Sequence, residues 1–93
     1  MKIDIVYSKK ALKFLSKNNF LNDKEVDELV IKAIKIIKLK EEINLDLKVL
    51  KGYENFYRIR KGKIRIIFSI NEDNEIIITF INEIGYRGDI YKK

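Results

Sequence analysis

The amino-acid sequence predicts an α+β domain in which a helical hairpin packs on one face of an antiparallel sheet. Apolar residues recur with helical spacing between residues 9 and 38, and they alternate with polar or basic residues in three stretches after residue 55. The element order is an N-terminal strand, two helices and three further strands joined by hairpins (β-α-α-β-β-β). A chain of 93 residues buries a single core. One domain is therefore expected over residues 1–93.

The first half of the chain contains the N-terminal strand and both helices. Residues 3–7 alternate as a strand, and Ser8 follows as the N-cap of a helix over residues 9 to about 17. The second helix begins at Asn22 or Asp23, with Glu25 completing a capping box. Its acidic residues crowd the first turns and its lysines the last, as the helix dipole favours. This pattern is typical of a helix that packs on a sheet, and no chemistry is assigned to it.

The second half is predicted to be mainly strands and turns. Residues 43–49 alternate and form either a short strand or an extended edge, and residues 50–55 form a turn. After the central hairpin, residues 71–74 are a hydrophilic turn. An isoleucine-rich strand then covers residues 75–84, and the tail that follows contains two glycines.

The central hairpin covers residues 56–68, with a tight turn predicted at Lys61-Gly62. That turn would pair Arg60 with Lys63 and Arg58 with Arg65. One face of the hairpin would then be apolar, and the other would carry all four cations. Like charges placed opposite each other destabilise a hairpin. The pattern therefore indicates an anion-binding face, the alternative being an ordinary solvated face.

Composition limits the classes of function. The chain has no cysteine and no histidine, so thiolate chemistry is excluded and a zinc or transition-metal site is not expected. Its formal charge of +6 suits a nucleic acid or an acidic protein as the partner. No apolar run reaches membrane-spanning length and no signal peptide is recognisable at the start, so we expect a cytoplasmic protein. All four arginines follow residue 57, and arginine binds phosphate through a planar fork that lysine lacks.

The chain contains, in order, LKG at residues 50–52, YRIRKGKIRIIF at 57–68 and IGYRGDIY at 84–91. Together with residues 7–15, these segments resemble the RelE/ParE family of bacterial and archaeal toxins, and the resemblance covers nearly the whole chain. It implies the fold predicted above and the toxin role in a type II toxin–antitoxin module. RelE-type members cut mRNA in the ribosomal A site, whereas ParE-type members inhibit DNA gyrase.

The resemblance also implies the site residues, because RelE-type enzymes use basic residues on two strands together with an arginine and a tyrosine near the C terminus. The catalytic residues expected on this basis are Arg58, Arg60, Arg65, Arg87 and Tyr91. The tail of the family varies in spacing, and some relatives place a histidine there that this chain lacks. Further RNA contacts are expected from Lys51, Lys61, Lys63 and Tyr86, and no metal ligand is predicted.

Cleavage of RNA can use the 2′-hydroxyl of the RNA as the nucleophile, so no cofactor is expected. Arginines would stabilise the charge that develops on the phosphorane. Tyr91 is the candidate general acid or base, because neighbouring cations favour its phenolate. Arg58 or Arg60 is an alternative acid. Asp46 and Glu54 are alternative bases, although solvated loop carboxylates are the favoured interpretation of both.

Aromatic residues offer a second way to hold RNA. Tyr53, Phe56 and Tyr86 fall in turns or at strand ends, where a base could stack. Packing is the favoured interpretation of Tyr53, and Tyr86 is left undecided. Tyr57 and Phe68 fall on the apolar side of their strands and are predicted to be core residues.

Two other functions remain open at this point. The chain could be a ParE-type inhibitor of gyrase, although such a protein has no evident need for a phosphate-binding face. It could also be an inactive relative that only binds its antitoxin. In each case the expected partner is an acidic antitoxin that folds on binding. For an RNase the substrate is mRNA, bound with the ribosome.

Overall fold

A computed structural model of the chain describes residues 2–86, so the predicted site residues Arg87 and Tyr91 lie outside the described part. Five strands and two helices follow one another along the chain. They are β1 (Lys2–Tyr7), α1 (Lys9–Lys17), α2 (Asp23–Leu39), β2 (Asp46–Val49), β3 (Phe56–Lys61), β4 (Ile64–Asp73) and β5 (Ile76–Tyr86). The predicted α+β class and element order are confirmed. Residues 46–49 are a short strand, one of the two alternatives left open for that segment.

The five strands form one mixed sheet in the order β1-β5-β4-β3-β2. The pairs β2–β3, β3–β4 and β4–β5 are antiparallel, whereas β1 lies at the edge and runs parallel to β5. The wholly antiparallel sheet expected from the sequence is therefore wrong at β1. Alternation along a strand determines which side chains face the core, but it carries no information about the direction of a partner that is distant in sequence.

Both helices start at the predicted caps. The Ser8 hydroxyl accepts a hydrogen bond from the Ala11 amide at 3.1 Å. Asn22 and Glu25 form a reciprocal capping box, in which the Asn22 side chain accepts from the Glu25 amide at 2.9 Å. A cap of this kind stabilises a helix by about 1 kcal/mol. The capped helices lie against one face of the sheet.

The core lies between the helices and that face. Its members come from both helices, from the loop between them and from β3, β4 and β5: Ala11, Leu21, Val26, Leu29, Val30, Ala33, Ile34, Ile59, Ile64, Ile66, Phe68, Ile70, Ile77, Ile81 and Ile84. Tyr57 stacks on Phe68 with ring centroids 5.6 Å apart, which confirms the core assignment of both residues. Among residues 2–86, no helix has the length and apolar character needed to span a membrane.

The hairpin between β3 and β4 has a register that differs from the predicted one. Lys61 pairs with Ile64, so the loop is Gly62-Lys63 and not Lys61-Gly62. Arg60 consequently faces Arg65 instead of Lys63, and Arg58 faces Ile67 instead of Arg65. Gly62 has a φ of +59°, and glycine at the first loop position is the preference of type II′ hairpin turns. The register moves by two residues, so the three arginines and the core residues keep their predicted faces. Lys63, predicted to lie on the same face as the arginines, instead falls in the loop and contacts Phe20 and Tyr86 on the helix side.

Candidate nucleic-acid interface

Three arginines lie on the face of the sheet that points away from the helices. Arg58 and Arg60 come from β3 and Arg65 from β4, and Arg60 and Arg65 are direct cross-strand partners. We call these three residues the arginine cluster. Arg58 and Arg65 are buried, with 6% and 8% of their surface exposed, whereas the Arg60 side chain is 36% exposed. The structure thus brings together three of the five residues predicted to be catalytic.

Asp46 bridges two of these arginines from the edge strand β2. One carboxylate oxygen, Oδ1, accepts a hydrogen bond from Arg58 Nη2 at 2.7 Å, and the other, Oδ2, accepts from Arg60 Nε at 2.8 Å. We call this arrangement the Asp46 bridge. Asp46 is therefore not a solvated loop carboxylate, and that interpretation is wrong. The register explains the contact, because Asp46 is the direct strand partner of Arg60.

The arginines control the charge state of Asp46. The hydrogen bond from Arg60, followed by the charges of Arg58, Arg60 and Lys48, lowers the pKa of the Asp46 carboxyl below its usual value, against the opposing effect of burial. The carboxylate is consequently an anion at neutral pH. Lys48 is the strand partner of Arg58, so three cations act on this single acid. The site keeps an excess of positive charge that favours a further anion.

Arg58 also has a donor that its described neighbours leave unused. Its Nε atom is buried and has no hydrogen-bond partner among residues 2–86. Buried donors are normally satisfied, and an exception calls for an explanation such as a catalytic role, a bound ion or an ordered water. This donor belongs to the side chain that the Asp46 bridge holds in place. Within the same residues, no group of three acidic side chains is arranged to hold a metal ion.

The predicted RNA-binding residues lie in two other places. Lys51 is exposed in the turn after β2, and Lys61 and Lys63 are exposed at the tip of the β3–β4 hairpin. Tyr86 packs on the helix side of the sheet, where its hydroxyl donates to Asn18 Oδ1 at 2.6 Å and its ring meets Phe14 edge-on at 5.4 Å. The structure thus separates Tyr86 from the arginine cluster.

The hairpin tip also contacts an exposed aromatic ring that sequence reasoning missed. Lys63 Nζ lies 5.5 Å from the centre of the Phe20 ring and 5.7 Å from that of Tyr86. Phe20 belongs to the loop between the helices and is 52% exposed. It lines a cleft of about 270 Å³ with residues 61–64. Its position just after Asn18-Asn19, which ends the first helical pattern, was the available signal that it falls in a loop.

Glu54 and Tyr53 lie in the turn before β3, and both are exposed. Tyr53 packs against Phe56 with ring centroids 5.8 Å apart, as the packing interpretation predicted. Glu54 is exposed as expected for a solvated carboxylate. Of the two carboxylates considered from the sequence, Asp46 alone contacts the arginine cluster within the described residues.

Curated relatives and solved structures agree on one class of protein. Toxin RelE3 of Methanocaldococcus jannaschii is 38% identical over 74 residues, which are 70% of this chain and 83% of that toxin. RelE1 of the same organism is 36% identical over 92 residues, which are 99% of this chain and 98% of RelE1. The RelB–RelE antitoxin–toxin complex of Methanococcus jannaschii matches with a TM-score of 0.52 at 25% identity, covering 92% of this chain and 94% of that one. No family model matches the chain.

The fold and its basic strands, together with these similarities, define the toxin class of type II toxin–antitoxin modules. Within that class, the chain belongs to the RelE toxin family.

Proposed function

We propose that this toxin is an mRNA endoribonuclease that needs neither metal nor cofactor, because the substrate supplies its own nucleophile. The observation that supports this function is the arginine cluster, in which adjacent paired strands hold three guanidinium groups on one face. Donors that are held in place before the reaction and aimed at developing charge are usually the largest single contribution to catalysis. A phosphate undergoing transfer develops such charge on its oxygens.

The proposed reaction has one bond formed and one broken. The 2′-oxygen of the RNA attacks the adjacent phosphorus, and the bond from phosphorus to the 5′-oxygen breaks. The products are a 2′,3′-cyclic phosphate and a 5′-hydroxyl. One proton leaves the 2′-hydroxyl and another is delivered to the 5′-oxygen. Arg58, Arg60 and Arg65 would stabilise the phosphorane between these two steps.

We propose that residues of the C-terminal tail take part in the proton transfers. Tyr91 is the candidate acid or base and Arg87 a further phosphate ligand, both on the basis of family resemblance. Asp46 is a weak candidate base, because the arginines lower its pKa and both of its oxygens already accept hydrogen bonds. Arg58 and Arg60 are poor acids, since a guanidinium keeps its proton at any physiological pH.

The remaining basic residues suit the backbone of the RNA. Lys51, Lys61 and Lys63 are exposed and extend the positive charge beyond the arginine cluster. Contacts of this kind position a nucleic acid without reading its sequence. We propose that the ribosome presents the mRNA to this surface, which implies a cytoplasmic site of action.

The function is tested by inducing the chain in a bacterial host and mapping the 5′ ends of transcripts. Cuts within translated reading frames are expected with the wild type, and the Arg65→Ala variant should make far fewer. Purified protein added to ribosomes programmed with a short mRNA should leave a 5′-hydroxyl on the downstream fragment. Growth arrest with intact transcripts and a DNA-damage response would contradict the proposal and favour gyrase as the target.

The proposed partner is an acidic antitoxin. The solved RelB–RelE complex is an antitoxin–toxin pair, and the +6 charge of this chain is complementary to an acidic segment. Charge would drive this association, and the rate of electrostatically steered association falls steeply with ionic strength. The on-rate for the cognate antitoxin should therefore fall steeply as salt is raised from about 50 to about 500 mM. Stopped-flow measurement of the on-rate tests this, and a rate independent of salt would contradict electrostatic capture.

A further inference from the structure

The Asp46 bridge supplies the arginine cluster with an anion from the protein itself. Its two oxygens lie 2.7 Å from Arg58 Nη2 and 2.8 Å from Arg60 Nε. A guanidinium binds a carboxylate and a phosphate through the same planar donors, and in both ligands two oxygens share the negative charge. The carboxylate therefore occupies donors that a phosphate would use.

We propose that Asp46 is an internal substitute for phosphate, which holds Arg58 and Arg60 in the unbound toxin and which the RNA phosphate displaces. The inference rests on the proposed function, because it concerns the same phosphate site. It gives Asp46 a positioning role, and it makes the affinity of the site for anions depend on the strength of the Asp46 bridge.

The Arg58 and Asp46 side chains differ in solvent exposure, and this difference indicates that Asp46 is the group that moves. The Arg58 side chain is 7% exposed and is fixed by the sheet around it, whereas the Asp46 side chain is 35% exposed. Asp46 also lies at the start of β2, a strand of four residues at the edge of the sheet. A short side chain at such a position can rotate towards solvent while the buried guanidinium keeps its place.

The charge balance favours the exchange. Arg58, Arg60, Arg65 and Lys48 share this side of the sheet with Asp46, so the carboxylate leaves the site positive. An arriving phosphate meets an attractive field, yet it must compete with an anion that is already hydrogen-bonded. A single small phosphate competes poorly, whereas an RNA chain brings further contacts to the exposed lysines. The bridge would thereby select polyanions over free phosphate.

The test measures the binding of inorganic phosphate to the full 93-residue chain by calorimetry at fixed ionic strength. Asp46→Asn removes the competing charge with little change in shape, and phosphate should then bind on the order of tenfold more tightly, the effect of one charge-assisted hydrogen bond. Asp4→Asn is the matched control. Asp4 is exposed on the same face of the sheet, in β1 at the opposite edge. Its substitution therefore changes the net charge by the same amount but far from the Asp46 bridge.

Equal phosphate affinity in Asp46→Asn and Asp4→Asn would overturn the inference, and so would weaker binding in Asp46→Asn or no binding in any form. A measurement on the wild type covers the case in which Asp46→Asn does not fold. The carboxyl ¹³C resonance of Asp46 should shift as phosphate saturates the protein, and an unchanged resonance would contradict displacement.

The proposed function is tested separately, by the cleavage of mRNA. If the wild type cleaves mRNA while the phosphate affinity is insensitive to Asp46, the role of Asp46 alone is wrong. If phosphate binds as expected and no mRNA is cut, the proposed nuclease function is wrong and the exchange at Asp46 stands.

Discussion

Arg60 and Arg65 face each other across two neighbouring strands, a placement that costs folding free energy. The Asp46 bridge offsets part of that cost by supplying one negative charge to Arg58 and Arg60. Binding of an anion to the arginine cluster, as proposed above, would offset more of it.

Replacement of Arg65 should show whether cleavage needs only a positive charge at this position or also the planar geometry of the guanidinium. Arg65→Ala should lower the rate of mRNA cleavage on the order of 10²- to 10³-fold, the typical effect of removing one donor to a developing charge. Arg65→Lys should recover only part of the rate, because lysine keeps the charge and loses the planar fork. Single-turnover cleavage on programmed ribosomes measures both variants. Full activity in Arg65→Lys would show that charge alone is sufficient.

The Asp46 bridge should also make stability depend on pH. The folded state lowers the pKa of Asp46 below the unfolded value of 3.8, so the bridge stabilises the fold at pH values above 3.8. The contribution is lost as the pH falls through the lower, folded value. The wild type should therefore melt at a higher temperature than Asp46→Asn at pH 7, and the difference should shrink below pH 3.8. Thermal melts followed by circular dichroism test this, with Asp4→Asn as the control.

At the scale of the secondary-structure elements, sequence patterns predicted the sheet face of each side chain better than they predicted which residues pair across strands. The alternation of apolar and basic residues over residues 56–68 correctly predicted that Tyr57, Ile59, Ile64 and Ile66 face the core and that the arginines face away. The turn was misplaced by one residue, because the same alternation fits a loop at Lys61-Gly62 or at Gly62-Lys63. The positive φ of Gly62 distinguishes them, and that angle is a property of the folded hairpin.

A hydrogen bond from β1 to α2 ties the edge of the sheet to the helices. The Tyr7 hydroxyl donates its proton to Asp27 Oδ1 at 2.5 Å and lies 2.9 Å from the Asp23 carbonyl oxygen. Burial, the hydrogen bond to Asp27, and the charges of Asp27 and Asp23 together raise the pKa of the Tyr7 hydroxyl above its usual 10.0. The neutral hydroxyl is therefore the form that the fold selects.

Removal of that hydroxyl should destabilise the protein. Tyr7→Phe is expected to lower the free energy of unfolding by about 1–2 kcal/mol, the range for a hydrogen bond to a charged group. Because the folded pKa is raised, this contribution is present below pH 10 and declines at higher pH. Urea unfolding at pH 7 and above pH 10 measures both effects. Tyr53→Phe, at an exposed turn position, is the matched control, and an equal loss there would contradict the tether.

At the scale of the whole molecule, local features of the sequence were predictable and distant pairings were not. Caps, helical stripes and strand faces depend on neighbours a few residues apart, and they were predicted correctly. The parallel pairing of β1 with β5 joins residues far apart in the chain, and no local pattern encodes it. The same limit hid the Asp46 bridge, because the contact of Asp46 with Arg60 follows from the register of β2 on β3.

The distribution of charge over the molecule predicts how RNA binding depends on salt. The logarithm of the affinity for a non-cleavable single-stranded RNA should fall linearly with the logarithm of the salt concentration, with a slope of about −0.7 for each phosphate contact. Arg60→Ala should make that slope shallower by about 0.7. Lys35→Ala, an exposed position on α2, should leave it unchanged. Fluorescence anisotropy measures the slopes, and equal changes in the two variants would show that only total charge matters.

The pairing of β1 with β5 also sets the order of events during synthesis. Lys2 is synthesised long before Ile76, its partner in the sheet. The strand β1 therefore stays unpaired until β5 has been synthesised. Long-range pairings of this kind form slowly. The five-stranded sheet can consequently be complete only after most of residues 2–86 have been synthesised.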